Sequence, residues 1–232
     1  MPALDLDGRT VPYALRRSRR ARWMRAEFTP DAGLVVVLPE REDAGKVGDF
    51  LRRHRRWLER GLRRAARLAE WPAPTLDHGS TVPFLGRPLR LDLNRGPERV
   101  GRLGDALIVH VPRRTRAATR AALKSWYAAE AVRELGERAR ALAARLGLSF
   151  RKLAVRDQKR RWGSCSSAGT LSFNWRLLLM PEDVADYLVA HEVAHLAVPD
   201  HSARFWSKVA EACPAWRERE RWLKRLGAAV RL

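Results

Sequence analysis

The sequence predicts an α+β protein: a β-rich first part carrying a long helix, then a helix-dominated second part with a small sheet. Three observations predict it. Short β-branched runs, punctuated by Pro and Gly, recur through the first half. Apolar residues at 3.6-residue spacing fill residues 43–70 and return after residue 116. The change of character falls near residues 112–115, so the expected division is 1–114 and 115–232. A chain of 232 residues is long enough for either one large or two modest cores.

The first forty residues read as a small antiparallel sheet. Its strands are Val11–Arg17, Arg22–Phe28 and Leu34–Leu38, set off by Thr29-Pro30-Asp31-Ala32-Gly33 and by Pro39. One helix is expected from Asp43 to Glu70, with Val47, Phe50, Leu51, Trp57, Leu58, Leu62, Ala65 and Leu68 on its apolar face and arginines on the others. Trp71-Pro72-Ala73-Pro74 breaks the chain. Strand candidates follow at Thr81–Leu85, Pro88–Leu93 and Ala106–Val111. Arg116 to Leu146 reads as a long helix that Gly147 ends. Then come a strand at Phe150–Arg156, a strand pair around Trp162–Ser166 and Thr170–Leu178, and three helices.

Composition excludes several classes. Hydrophobic residues make up 46% of the chain, too many for a disordered or collagen-like protein. No run approaches the roughly 18 apolar residues of a membrane span. The opening Met1-Pro2-Ala3-Leu4-Asp5 carries acid early and no apolar stretch, so no signal peptide is expected. Cys165 and Cys213 are too few for a disulfide framework, and a cytoplasmic protein without a membrane partner is the expectation. The net charge of +20 is spread along the chain without a basic tail. It would attract polyanions, or it reflects an Arg-rich solvated exterior.

Residues 191–195 read His-Glu-Val-Ala-His. On a helix, positions i and i+4 lie one turn apart on one side, so two imidazoles can hold one ion. Pro181 suits the helix start, and Glu182, Asp183 and Asp186 lie near its positive end. Val184, Tyr187, Leu188, His191, His195 and Val198 share one face, which puts both histidines on the inward stripe. Burying two unpaired imidazoles there would be costly, and a shared metal answers that cost. Pro199 turns the chain, so His201 can come back beside the pair. Three nitrogen ligands leave one of zinc's four positions open, the arrangement of catalytic sites. One Zn2+ per chain is expected, with His191, His195 and His201 as ligands. Glu192 is placed as general base toward a water of lowered pKa, or else as a fourth ligand or an orienting group. Asp200 reads either as a hydrogen-bond partner of a ligating imidazole or as a turn residue. Ser202 reads as the cap of the next helix, with Phe205 and Trp206 as core anchors.

Arg161-Trp162-Gly163-Ser164-Cys165-Ser166, Asn174-Trp175-Arg176-Leu177, Tyr187, the His191–Leu196 segment and His201-Ser202-x-x-Phe205-Trp206 resemble the YgjP-like metallopeptidases, relatives of the SprT-like zinc proteases. The likeness extends to Arg16–Arg20, Val35–Pro39, the Trp57-bearing helix and Phe84-Leu85-Gly86-Arg87. It implies a zincin-like catalytic domain, a small sheet over the His-Glu-x-x-His helix, with the three histidines on zinc and Glu192 catalytic. It also implies that a strand in the Trp162–Ser166 region borders the cleft and pairs with an extended substrate. The ligand spacing equally matches the metzincins, but Val198-Pro199 stands where that group has Gly, and no Met-turn follows.

Substrate-binding candidates are Trp162, Gly163, Ser164, Asn174, Arg176 and Tyr187, the last three also as candidates to stabilise an oxyanion. Trp162 and Trp175 could instead pack the sheet on the helices, and Cys165 could be a small buried residue, a metal-site member or a redox group. The leading reading is a zinc peptidase acting on peptides or proteins. A second is a nucleic-acid-associated module using Arg16–Arg25 with Trp23 interleaved to bind DNA or RNA, with or without proteolysis of bound proteins. A third is a non-catalytic scaffold with a structural metal.

Overall fold

Residues 2–6, 8–29 and 33–232 are described in the computed structural model, and the chain divides into two units, Met1–Glu70 and Trp71–Leu232.

In the first unit, β1 (Ala3–Leu6) and β2 (Arg9–Pro12) form an antiparallel hairpin. Gly8 closes it at φ 77°, a conformation other residues adopt only with strain. A three-stranded sheet follows from β3 (Ala14–Ser18), β4 (Arg25–Thr29) and β5 (Gly33–Pro39). Leu34-Val35-Val36-Val37-Leu38 is buried without alternation, the mark of a strand covered on both faces, and β5 is indeed the central strand. The expectation of a purely antiparallel sheet is corrected here. β4 returns antiparallel to β5, but β3 lies across β5 and runs parallel to it. Residues 30–32 of the expected turn lie outside the described residues.

The single helix expected over 43–70 is two. Asp43 accepts a hydrogen bond from Gly45 N to open a short 3-10 turn, and α1 (Val47–Arg53) follows. The helix breaks at His54, whose ring Nδ1 lies 2.9 Å from Phe50 O and whose ring packs against that of Phe50. α2 (Arg55–Glu70) then continues. Gly61 is where α2 meets β4: a Cβ there would sit 1.9 Å from the Phe28 ring. Leu4, Val11, Val36, Leu38, Leu51 and Leu58 form the core of this unit.

The second unit opens with β6 (Thr81–Phe84), β7 (Arg87–Arg95), β8 (Arg99–Leu103) and β9 (Ala106–Val111), in the order β6-β7-β9-β8 with β7 and β9 parallel. α3 (Arg116–Arg145) begins where Thr115 accepts from Ala118 N, and Gly147 ends it at φ 66°. Its buried face, from Thr119 through Leu123, Tyr127, Ala131, Leu135 and Ala139 to Ala143, steps by about one turn. This face shares one core with Leu89, Leu91, Leu107 and Val109 of the sheet, and Tyr127 Oη donates to Pro83 O. The junction at 114/115 therefore lies inside the second unit, between β9 and α3.

A second sheet, β10 (Lys152–Arg156), β11 (Gly163–Cys165) and β12 (Thr170–Asn174), has the order β10-β12-β11. β10 runs parallel and β11 antiparallel to β12, so β11 is an edge strand. Residues Trp175–Leu178, expected to continue the strand, belong instead to a 3-10 turn, Trp175–Leu179, which the Asn174 side chain caps by accepting from Arg176 N. Three helices complete the chain: α4 (Glu182–Ala194), α5 (Ala203–Ala212) and α6 (Trp216–Leu226). Among the described residues no helix is long and apolar enough to cross a membrane.

Candidate metal centre

The site is carried by α4 and the turn that follows it. Val184, Ala185, Leu188, Val189, Val193 and Ala194 bury α4 on nearly every side, so the helix is fixed within the core. Near its start, Arg138 of α3 clamps Glu182 at 2.6 Å and Asp186 at 3.0 Å. His191 lies in the last turn and His195 at the C-terminal cap. The chain leaves the helix through Val198-Pro199 and re-enters one at Ser202. Asp200 shapes this bend by accepting from Ser202 N at 3.1 Å, so it acts as the turn residue. The imidazole partner is a backbone group instead: His195 Nδ1 lies 3.1 Å from Val198 O, which leaves Nε2 free to face the site.

His191, His195 and His201 each offer a nitrogen, and those atoms all lie within 4.8 Å of one another. The rings are mutually packed, with centroid separations of 5.0, 5.1 and 4.8 Å. Phe205, fully buried, touches all three, stacking on His195 at 4.4 Å and meeting the other two edge-on. Behind it Trp206 stacks on Trp216 at 4.2 Å. Burial, reinforced by the two neighbouring imidazoles, brings the His191 pKa down to about 4, and burial lowers that of His195 too. The His191 and His195 rings are thereby neutral near pH 7, the form that ligates a metal.

The donor geometry fits a metal ion. Nε2 of His201 and Nε2 of His191 stand 3.2 Å apart. Two nitrogens on a tetrahedral zinc with bonds of 2.0–2.1 Å would be about 3.3 Å apart. The other ring nitrogen, His191 Nδ1, is buried and lacks a hydrogen-bond partner among the described residues.

Glu192 faces the same cleft as the histidines, is 5% exposed, and burial raises its pKa to about 7. Its carboxylate lies directly on β11. A Cβ on Gly163 would be 2.5 Å from Glu192 Oε1 and 2.7 Å from its Cγ. The histidines, Glu192 and β11 together line a cleft of about 620 Å³. Burial, and then the Glu192 charge, raise the pKa of Cys165 beside it.

Of the six substrate-binding candidates, Gly163 and Ser164 line this cleft. Asn174 is fully engaged elsewhere, its Nδ2 donating to Gln158 O at 2.7 Å and Arg161 O at 3.1 Å. Arg176 pairs with Asp157 and covers the Trp175 ring. Trp162 and Arg176 border a neighbouring pocket. Tyr187 is buried, its ring centroid 6.0 Å from that of His191. Sequence reasoning placed Phe205 in the core but did not find its contact with all three imidazoles, nor the seat that Gly163 makes for Glu192. The only signal for either was its place in a motif.

A family described as YgjP-like, metallopeptidase domain, matches residues 22–226. No curated protein matches the chain. Among solved structures, the chain is similar to the metallopeptidase zymogen of Pyrococcus abyssi abylysin, with 24% identity over 40% of this chain and 95% of that one. The TM-score is 0.37.

Proposed function

The chain belongs to the YgjP-like metallopeptidase family, and from that premise we propose that it is a zinc-dependent peptidase. His191, His195 and His201 hold one zinc ion, and Glu192 is the general base. The observation that carries this reading is the convergence of three imidazole nitrogens within 4.8 Å beside a buried carboxylate. When bound, zinc would supply the Lewis acidity that brings a water pKa toward about 7 and polarises a carbonyl.

The chain's own residues do the remainder. A Glu192 carboxylate oxygen accepts a proton from the attacking water and returns it to the departing amide nitrogen. The outer edge of β11 offers backbone N–H and C=O groups to an extended peptide. Phe205 closes the floor under the imidazoles and keeps water from reaching them from behind. The two cysteines are free, which suits a reducing, cytoplasmic setting.

The test pairs metal analysis with hydrolysis of an unfolded protein. Wild-type protein should carry about one equivalent of zinc, lost in His191→Ala and His201→Ala. Glu192→Gln should keep the metal and lose at least about a hundredfold in turnover. Undiminished turnover in Glu192→Gln would leave a scaffold rather than an enzyme. Full zinc retention in His201→Ala would pass the third ligand to an acid such as Asp200 or Glu211. A second reading, polyanion binding through Arg16–Arg25, is favoured by Trp23, which is 82% exposed among those arginines. It requires DNA or RNA affinity that persists at about 150 mM salt and falls steeply above it.

A further inference from the structure

A second pocket of about 440 Å³ adjoins the metal cleft, and Arg161 lines both. Lys159, Arg160, Arg161, Arg176 and Lys224 surround it, and no carboxylate is part of its lining. Arg176 is neutralised by Asp157 and Lys224 by Glu220. Lys159, Arg160 and Arg161 have no acidic partner among the described residues. Trp162 and Leu223 supply an apolar wall.

This concavity is built rather than incidental. The segment carrying the three free cations is pinned by one buried side chain, since Asn174 Nδ2 donates to both Gln158 O and Arg161 O. Asn174 N also donates to Trp162 O at 2.8 Å. The backbone is therefore set before any ligand arrives, which lowers the ordering cost of binding.

We propose that this pocket is a subsite for acidic side chains of the peptide substrate, so that the enzyme prefers sequences with Asp or Glu to one side of the cleaved bond. The inference rests on the peptidase reading above. Arg161 stands two residues before Gly163, where β11 begins, and lines both the cleft and the pocket. A peptide that runs along β11 and on past its start therefore reaches the pocket at Arg161. A nucleic-acid strand would need cations and stacking surfaces repeated along several nucleotides, whereas here the cations ring one pocket. Both ion pairs and hydrogen bonds from guanidinium groups favour a carboxylate.

The experiment uses the full-length Glu192→Gln protein, loaded with zinc, and fluorescent peptides of equal length differing only in Glu against Gln. Binding is read by anisotropy at about 150 mM salt. The Glu peptide should bind about tenfold more tightly, as expected of two partly exposed ion pairs. In Lys159→Ala/Arg160→Ala the ratio should fall to about one, with zinc content unchanged as the folding control. Lys159→Glu/Arg160→Glu, which takes the uncompensated charge of the pocket from +3 to −1, should turn the preference toward a Lys peptide. Equal affinities, a ratio that survives the double variant, or displacement of the Glu peptide by a tighter-binding single-stranded oligonucleotide would each overturn the proposal. Wild-type protein incubated with both peptides separates the two readings. Charge-selective binding without cleavage of either peptide defeats the peptidase reading and leaves the subsite. Cleavage without charge preference does the reverse.

Discussion

Gly163→Ala is the sharpest perturbation of the candidate site, because it adds a single methyl group at a known distance from a single carboxylate. Gly163 lacks the positive φ that would explain a glycine by backbone freedom. What it lacks is room. The added Cβ would lie 2.5 Å from Glu192 Oε1, 2.7 Å from Cγ and 2.8 Å from Cδ. Contacts between such atoms settle near 3.5 Å, so the carboxylate must retreat by about 1 Å. α4 cannot yield, since Val189 and Val193 on either side of Glu192 are buried. The side chain therefore has to leave its rotamer. A misplacement of that size typically costs about a hundredfold in turnover, and overpacking costs about 1–3 kcal/mol of stability. The metal should be retained, because the clash falls on Glu192 and not on the imidazoles. The assay is single-turnover cleavage of an unfolded protein, with zinc content measured on the same sample. In a Glu192→Gln background, Gly163→Ala should cost little further, since the group it displaces is already disabled. Turnover within about threefold of wild type at full metal loading would show that Glu192 is not the base, or that β11 does not fix it.

Three other outcomes are expected. Phe205→Ala removes the ring that packs all three imidazoles, so it should cost about 3–5 kcal/mol in denaturant unfolding and weaken zinc affinity in a chelator competition. Asn174→Ala orphans the carbonyls of Gln158 and Arg161, and hydrogen exchange should accelerate over residues 157–162 while α4 stays protected. Lys124, and then Arg176, hold Asp157 below the usual carboxylate range. Its stabilising effect is therefore present above the unfolded pKa and lost as pH falls through the folded one. The Tm difference between wild type and Asp157→Asn should be constant above about pH 5 and close toward pH 2. A gap that persists at pH 2 would assign the effect to shape rather than charge.

Local chemistry made some of the fold legible and left the rest hidden. Thr115 and Gly147 delimit α3 because caps act within a few residues. The apolar run in β5 announces a doubly covered strand for the same reason. β8, by contrast, is almost wholly exposed, and Arg99-Val100-Gly101-Arg102-Leu103 carries little alternation to reveal it. The parallel pairings β3–β5, β7–β9 and β10–β12 depend on where distant strands dock, which no local pattern encodes. A helix breaks at His54 with neither Gly nor Pro, which spacing cannot show. Thr170–Leu178 illustrates a different limit. Its polar and apolar residues alternate from Thr170 to Leu177, the pattern of a strand throughout, and what ends the strand early is the Asn174 cap.

The site divides along the same line, and the division has a chemical consequence. His191 and His195 are legible because one helical turn brings them together, and His201 because Pro199 bends the chain. The seat of Glu192 is not, since Gly163 lies 29 positions earlier and meets it only through the docking of β11 on α4. Yet that seat governs the base. In a chain of net charge +20, an arginine against Glu192 would hold it ionised but poorly basic. Glycine backbone and the uncharged Cys165 thiol surround it instead, and burial alone sets its pKa near 7. A cation held by the three imidazoles would draw that value down again, so basicity has to be kept by excluding every other positive group. Lys159, Arg160 and Arg176 stand one pocket away, and Arg161, which lines the cleft itself, makes no ion pair with Glu192 among the described residues.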